Sequence, residues 1–235
     1  MYNVVLIFFF LLFGSCAAIS GQSKVNFLEG NVTLNKATGF FGRNVQDVKL
    51  GVEAGFLRQL KTETPVFWGI SSYYQSLGRS GKYIIQEPLD FDLVDFDYTT
   101  ISQLIGFNGK LRFYPKIYLG KTEFYVEAMF GYKWLFTTTN KTITDDNESS
   151  DSNIEKGSLS LTYGVAAGLN YPVSPSLYLN LRANYLPGLS KQYYVLDESN
   201  TITESTLDLF DLKKSTTDII RWDFGVTWRF TGEEF

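Results

Sequence analysis

The chain has 235 residues, a formal charge of −4 at pH 7, a hydrophobic share of 44%, an aromatic share of 17%, one cysteine and no histidine. Without histidine there is no Ser-His-Asp or Cys-His nucleophile, no His-ligated zinc and no imidazole general base, and the lone Cys16 excludes an intramolecular disulfide framework. A mildly acidic chain with no basic stripe gives no electrostatic footprint for nucleic acid, so no nucleic-acid partner is expected; no cofactor is expected either.

In chain order, Val4 to Phe13 form an apolar run followed by the small residues Gly14, Ser15, Cys16, Ala17 and Ala18. Ten apolar residues make roughly 15 Å of helix, half of a bilayer core. Residues 1–20 are therefore expected to be a secretory signal peptide, and 22–235 the mature domain. Cys16 is either discarded with that peptide or lipidated.

Beyond it, apolar and small or polar residues alternate with period two, and no segment sustains a helical period. The expected strands lie near 25–35 (Leu28, Val32, Leu34 against Glu29, Asn31, Thr33), at Val48–Phe56, and near 66–77 (Val66, Trp68, Ile70, Tyr74 against Gly69, Ser71, Gln75). They continue at Ile101–Phe113, Phe124–Phe136, Leu159–Tyr171 and Leu177–Tyr185. The last is Trp222–Phe230, where Trp222, Phe224, Val226, Trp228 and Phe230 oppose Arg221, Asp223, Gly225, Thr227 and Arg229. Short connections are expected near 59–64, 114–120 and 172–176, and long polar ones near 37–46, 79–98, 137–156 and 187–217. Long and short loops alternate, as in an eight-stranded antiparallel up-and-down barrel.

Volume decides which face is inside. An eight-stranded barrel has an interior just wide enough for side chains. The apolar faces carry far too many Phe, Tyr and Trp for it, whereas Gly, Ser, Thr and Asn with a few charges fit. The apolar face is therefore expected outside, against lipid, with all backbone groups satisfied by closure. Trp68, Tyr74, Phe113, Trp134, Tyr171 and Trp222 are expected in interfacial aromatic girdles, joined by Tyr114, Phe124 and Phe136.

The inward faces bring Glu53, Lys110, Arg112, Glu127, Lys133, Arg182, Arg221, Asp223 and Arg229 into the lumen, together with Glu29, Lys49 and Glu123. A structural network of paired charges is expected there, because buried charges must be paired to be tolerated. Glu53 and Glu127 share similar settings, Val-Glu-Ala-Gly-Phe and Val-Glu-Ala-Met-Phe. The acidic stretch 144–155 lacks calcium-loop spacing and reads as a solvated loop. Leu89-Asp90-Phe91-Asp92-Leu93 and Leu207-Asp208-Leu209-Phe210-Asp211-Leu212 mix acids with large apolar groups, and read as strand extensions offering an edge to partner strands.

The cleavable leader, the eight amphipathic strands, the alternating loops and the closing strand Trp222–Phe230 resemble the small outer-membrane β-barrel (porin-like) family of Gram-negative bacteria over about residues 22–230. The resemblance implies an all-β transmembrane barrel in the cell outer membrane, with long loops extracellular. It also implies contact with outer-membrane lipid and insertion by the barrel assembly machinery, which would read Trp228 and Phe230. The chain departs from the pattern by continuing to Phe235, out of register with Phe230. Barrel enzymes of this size rely on an active-site histidine, so the expected role is non-enzymatic: structural, or surface binding and adhesion to a protein partner through the loops. A narrow porin or ion path and a soluble lipocalin-like carrier of an apolar ligand are the alternatives.

Overall fold

The computed structural model describes residues 24–231, apart from 82, 90, 91, 116, 144 and 145. The expected leader and Phe235 lie outside the described residues. Period-two alternation becomes strand throughout: β1 (Val25–Ala37), β2 (Val48–Gln59), β3 (Val66–Arg79), β4 (Tyr83–Leu89), β5 (Asp92–Phe113) and β6 (Tyr118–Leu119) come first. They are followed by β7 (Thr122–Ile143), β8 (Asp146–Pro172), β9 (Leu177–Leu186), β10 (Lys191–Leu196), β11 (Phe210–Ser215) and β12 (Ile219–Thr231). A single helical turn, α1 (Gly39–Asn44), sits between β1 and β2.

Antiparallel pairing runs β1–β2–β3–β5–β7–β8–β9–β12 and returns to β1, with Val25 opposite Thr231 and Ala37 opposite Ile219. The sheet is thus a closed eight-stranded up-and-down barrel. Closure leaves no edge in the wall, and each strand alternates between lumen and exterior.

The three short connections, 60–65, 114–121 and 173–176, share one end with both ends of the ring. At the other end the structure corrects the expected loops. Much of 79–98 and 137–156 is strand: β5 and β7 each have 22 residues and β8 has 27. A tilted membrane strand needs about 9–11 residues, so these three exceed a span by roughly 35–60 Å of strand length at about 3.3 Å per residue. The surplus of β5, β7 and β8, edged by β4, forms a sheet projecting beyond the barrel. The acidic stretch 146–155 is the start of β8 within it.

The 187–218 connection behaves differently. It folds back over the mouth as the hairpin β10–β11 and packs on α1. Phe41 and Tyr193 meet edge to face at 5.0 Å and bury against Tyr73, Leu77, Leu104, Leu135 and Ile219 of the wall. Asn44 donates to the Tyr193 hydroxyl at 2.7 Å, and Ser102 of β5 donates to the Tyr194 carbonyl at 2.8 Å. The stretch 207–212, expected to offer an edge to partners, instead buries Leu209 and Phe210 in this cap.

Candidate functional site: the lumen and the outer belt

Odd-numbered positions of β1, β2, β3, β7 and β12 face the lumen, and so do even-numbered positions of β5, β8 and β9. Two ion pairs follow directly from register, because Arg112 stands opposite Glu127 across β5 and β7, and Arg182 opposite Asp223 across β9 and β12. Arg112 reaches Glu127 through Nε at 2.6 Å and Nη2 at 2.5 Å, and Glu29 through Nη1 at 2.6 Å. Arg182 is the hub. Its guanidinium lies 2.7 Å from Asp223, 2.7 Å from Glu53, 3.2 Å from Glu127 and 3.5 Å from Glu29. Lys110 binds Glu53 at 2.5 Å and stands 3.6 Å from Glu29, while Arg221 binds Glu53 and, through Nε at 2.9 Å, Asp223.

Four acids and four bases therefore share one cluster, all with fully buried side chains. Each charge is matched, which is the condition for keeping ions out of water. Two tyrosines finish the packing: Arg112 lies 3.9 Å from the Tyr125 ring centre and Arg221 4.6 Å from that of Tyr73. Both rings need glycine beside them. A Cβ on Gly106 would fall 1.9 Å from the Tyr73 ring, and one on Gly168 2.3 Å from that of Tyr125.

The structure places the remaining sequence-selected charges elsewhere. Lys133 is fully buried but outside the ion cluster, donating to the carbonyls of Leu186 and Thr217 at 2.6 Å each. These carbonyls flank the two ends of the capping connection, so the ammonium ties that connection to β7. Arg229 sits at the short-turn end and donates to the Tyr178 hydroxyl at 3.2 Å. Lys49 pairs at the opposite rim with Asp47 at 3.2 Å. In the capping connection, the Asp208 carboxylate accepts from the backbone N–H groups of Thr203, Glu204 and Ser205 and from the Thr203 hydroxyl, at 2.8–3.0 Å. Those donors, the Glu204 N–H first, hold its carboxyl far below the usual carboxylate range.

Outside, every wall strand exposes apolar side chains: Val32, Val52, Ile70, Phe107, Phe130, Val165, Leu179 and Phe224 are each 48–61% exposed. Trp68, Phe113, Tyr171 and Trp228 lie toward the short-turn end of this belt and Tyr74 and Trp134 toward the mouth, while Trp222 is half-buried among its neighbours. Trp134 stacks on Phe136 with ring centres 4.5 Å apart, and Trp228 lies 5.1 Å from Phe230. Tyr114, expected in the outer girdle, turns inward instead. It follows the last residue of β5, so strand parity no longer governs it, and it packs on Phe27, Phe67 and Tyr125. A monomer in water rarely exposes more than a few hundred Å² of apolar surface in one patch, so a belt around all eight strands is a lipid-facing surface. The faces required by a soluble carrier with an apolar interior are inverted here.

Sequence reasoning missed the large apolar groups inside the barrel, among them Phe27, Leu57, Phe67, Leu104 and Leu135. A signal was present. Phe27, Leu57 and Phe67 share strand parity with Glu29, Glu53 and Gly69.

No protein-family model matches the chain, and no curated protein matches it. Among solved structures, the chain is similar to a major outer membrane protein from Thermus thermophilus, at 15% identity over 89% of this chain and 100% of that one, TM-score 0.45. It is also similar to the outer membrane protein OprG from Pseudomonas aeruginosa (12%, 90% and 98%, TM-score 0.39) and to Neisserial surface protein A (10%, 87% and 95%, TM-score 0.38).

Proposed function

We propose that the mature chain, 22–235 after removal of residues 1–20 as a signal peptide, is an integral protein of the bacterial outer membrane with a non-enzymatic, surface-binding role. The observation that carries this reading is the combination of a lipid-facing belt with a lumen filled by matched charges. A barrel whose interior is occupied and whose mouth is capped leaves the projecting sheet as the surface for recognition. In that sheet β4 is the outer strand on one side, as the start of β8 is on the other, and strand edges are templates for pairing with another chain. The partner is a protein of another surface, engaged by strand addition at β4. Of the stretch 89–93, Leu89 ends β4 and Asp92 and Leu93 open β5 beside it, while residues 90 and 91 lie outside the described residues.

On this reading Trp68, Tyr74, Phe113, Trp134, Tyr171 and Trp222 anchor the barrel at the two interfaces, and Trp228 and Phe230 serve as the assembly signal on the closing strand. The paired lumen cluster supports a structural rather than a conducting interior, which weighs against the narrow-porin reading. The test is deletion of 84–96 in the full chain, followed by adhesion and partner-capture assays. Loss of binding with normal outer-membrane recovery supports the role; undiminished binding sinks it.

A further inference from the structure

At the short-turn end the floor of the barrel is concave. Phe27, Phe67, Tyr114 and Phe124 line a pocket of about 210 Å³, with Glu63, Glu123 and Arg229 in its walls. Its inner side is aromatic: the ring centres of Phe27 and Phe67 lie 4.8 Å apart, and Tyr114 meets Phe67 edge to face at 5.5 Å. Its outer side is a braced turn. Gln59 donates to the Thr64 carbonyl at 2.9 Å, the Thr64 hydroxyl to the Lys61 carbonyl at 2.6 Å, and the Tyr114 N–H to the Pro65 carbonyl at 2.9 Å. In that turn Glu63 has φ +68°, the one non-glycine residue with positive φ among the described residues, a conformation that persists only where its surroundings hold it. The pocket is therefore preformed.

Its size and walls select the occupant. The volume is below the roughly 300–1,000 Å³ usual for small-molecule sites and above the roughly 150 Å³ that admits benzene, so it suits one aromatic side chain. The Arg229 guanidinium favours a ring face, while Glu63 and Glu123 disfavour an acidic group inside. The chain carries such a ring close by. β12 ends at Thr231, opposite Val25, and Arg229 stands opposite Phe27. The segment Gly232-Glu233-Glu234-Phe235 follows and lies outside the described residues. Four residues reach at most about 14 Å, and Gly232 permits the backbone to turn back over the floor. Phe235 has the odd parity of the inward Arg229, not the even parity of the lipid-facing Trp228 and Phe230. The two glutamates have partners at the rim: Lys24, which donates to the Leu60 carbonyl at 3.1 Å, and Lys61 of the same turn.

We infer that the segment 232–235 folds back over the short-turn end and seats the Phe235 ring in this pocket, with Glu233 and Glu234 outside it beside Lys24 and Lys61. A short tether presents the ring at millimolar effective concentration, which favours it over the same group on a second copy or on another protein. The seated tail covers the floor of the barrel, as the β10–β11 hairpin covers the opposite mouth. The inference goes beyond the surface-binding role and needs neither a strand-addition partner nor the projecting sheet.

The test is NMR of the full chain in nanodiscs. Nuclear Overhauser cross-peaks are expected from the Phe235 ring to the rings of Phe27, Phe67 and Tyr114. Backbone order parameters at Glu234 and Phe235 are expected near the value of about 0.85 found in rigid structure. Phe235→Ala removes the occupant, and Ile117→Trp fills the pocket from an exposed position on its rim. Each should lower those order parameters below about 0.6, with folding checked by heat-dependent electrophoretic mobility. A tail already that mobile in folded wild type, or order that survives either folded variant, overturns the proposal. So do cross-peaks that arise only between differently labelled copies, which put the ring in a second molecule. If Ile117→Trp does not fold, the wild-type cross-peaks and Phe235→Ala decide the matter.

Discussion

Replacing Arg182 by methionine removes a guanidinium that touches Asp223, Glu53, Glu127 and Glu29 at 2.7, 2.7, 3.2 and 3.5 Å. The cluster then holds four carboxylates against Lys110, Arg112 and Arg221, one uncompensated negative charge with no exposed atom among its side chains. Breaking a buried pair from one side costs about 3–5 kcal/mol, mostly because the surviving charge stays desolvated. With a urea slope of about 2 kcal/mol/M, a loss of about 4 kcal/mol moves the unfolding midpoint down by about 2 M. Removing Asp223 as well (Arg182→Met with Asp223→Leu) restores three against three, and should recover a large part of the loss. The coupling between the two sites is read from the double-mutant cycle. Tryptophan fluorescence of refolded protein in vesicles supplies the curves. A single-variant loss below about 1 kcal/mol, or a double variant equal to the sum of the singles, would refute the view that matched charge holds the lumen together.

Gly168→Ala should cost about 1–3 kcal/mol by driving a methyl into the Tyr125 ring, and Tyr125→Leu in the same chain should return part of it, both measured by urea midpoint. Lys133→Met leaves the Leu186 and Thr217 carbonyls without their donor, a penalty of about 1–3 kcal/mol concentrated at the cap; faster protease cleavage within 187–218, with little change in barrel mobility on gels, is the expected outcome. Asp208 has its folded pKa depressed by hydrogen bonds, so its contribution is present above the unfolded value of 3.8 and is lost as pH falls below that toward the folded value. The amide resonances of Thr203, Glu204 and Ser205 should therefore hold steady above about pH 5 and move only below about pH 4, whereas Asp208→Asn should leave them displaced at every pH.

The wall was legible because a closed barrel imposes a strict rule on every residue it contains. Parity along Trp222–Phe230 or Leu177–Tyr185 separates lipid from lumen without reference to any other strand, and a volume argument then sets the sign. The partners in the lumen were less legible. Alternation shows that Glu53 and Arg182 both point inward, but their contact crosses the barrel between β2 and β9, and only closure and stagger bring them together. Lys133 looked like any other inward base. Its burial against two carbonyls depends on where the 187–218 connection returns, which strand periodicity does not encode. The same holds for 207–212, whose mixture of acids and apolar groups suits a projecting strand and a cap equally well; Asp208 and the Ser205 capping box settle it locally into a turn. Conversely 137–156 looked like a loop because its polar composition is what a strand shows when both its faces leave the lipid, and 79–98 because its glycine, proline and acids break up the apolar alternation.

The central claim is a closed barrel embedded in lipid through its apolar exterior. Cell fractionation followed by electrophoresis with and without boiling tests it most directly. The account predicts recovery in the outer membrane and a mobility that shifts on heating, as a closed barrel resists the detergent until boiled. Recovery in the soluble fraction with no shift would contradict it.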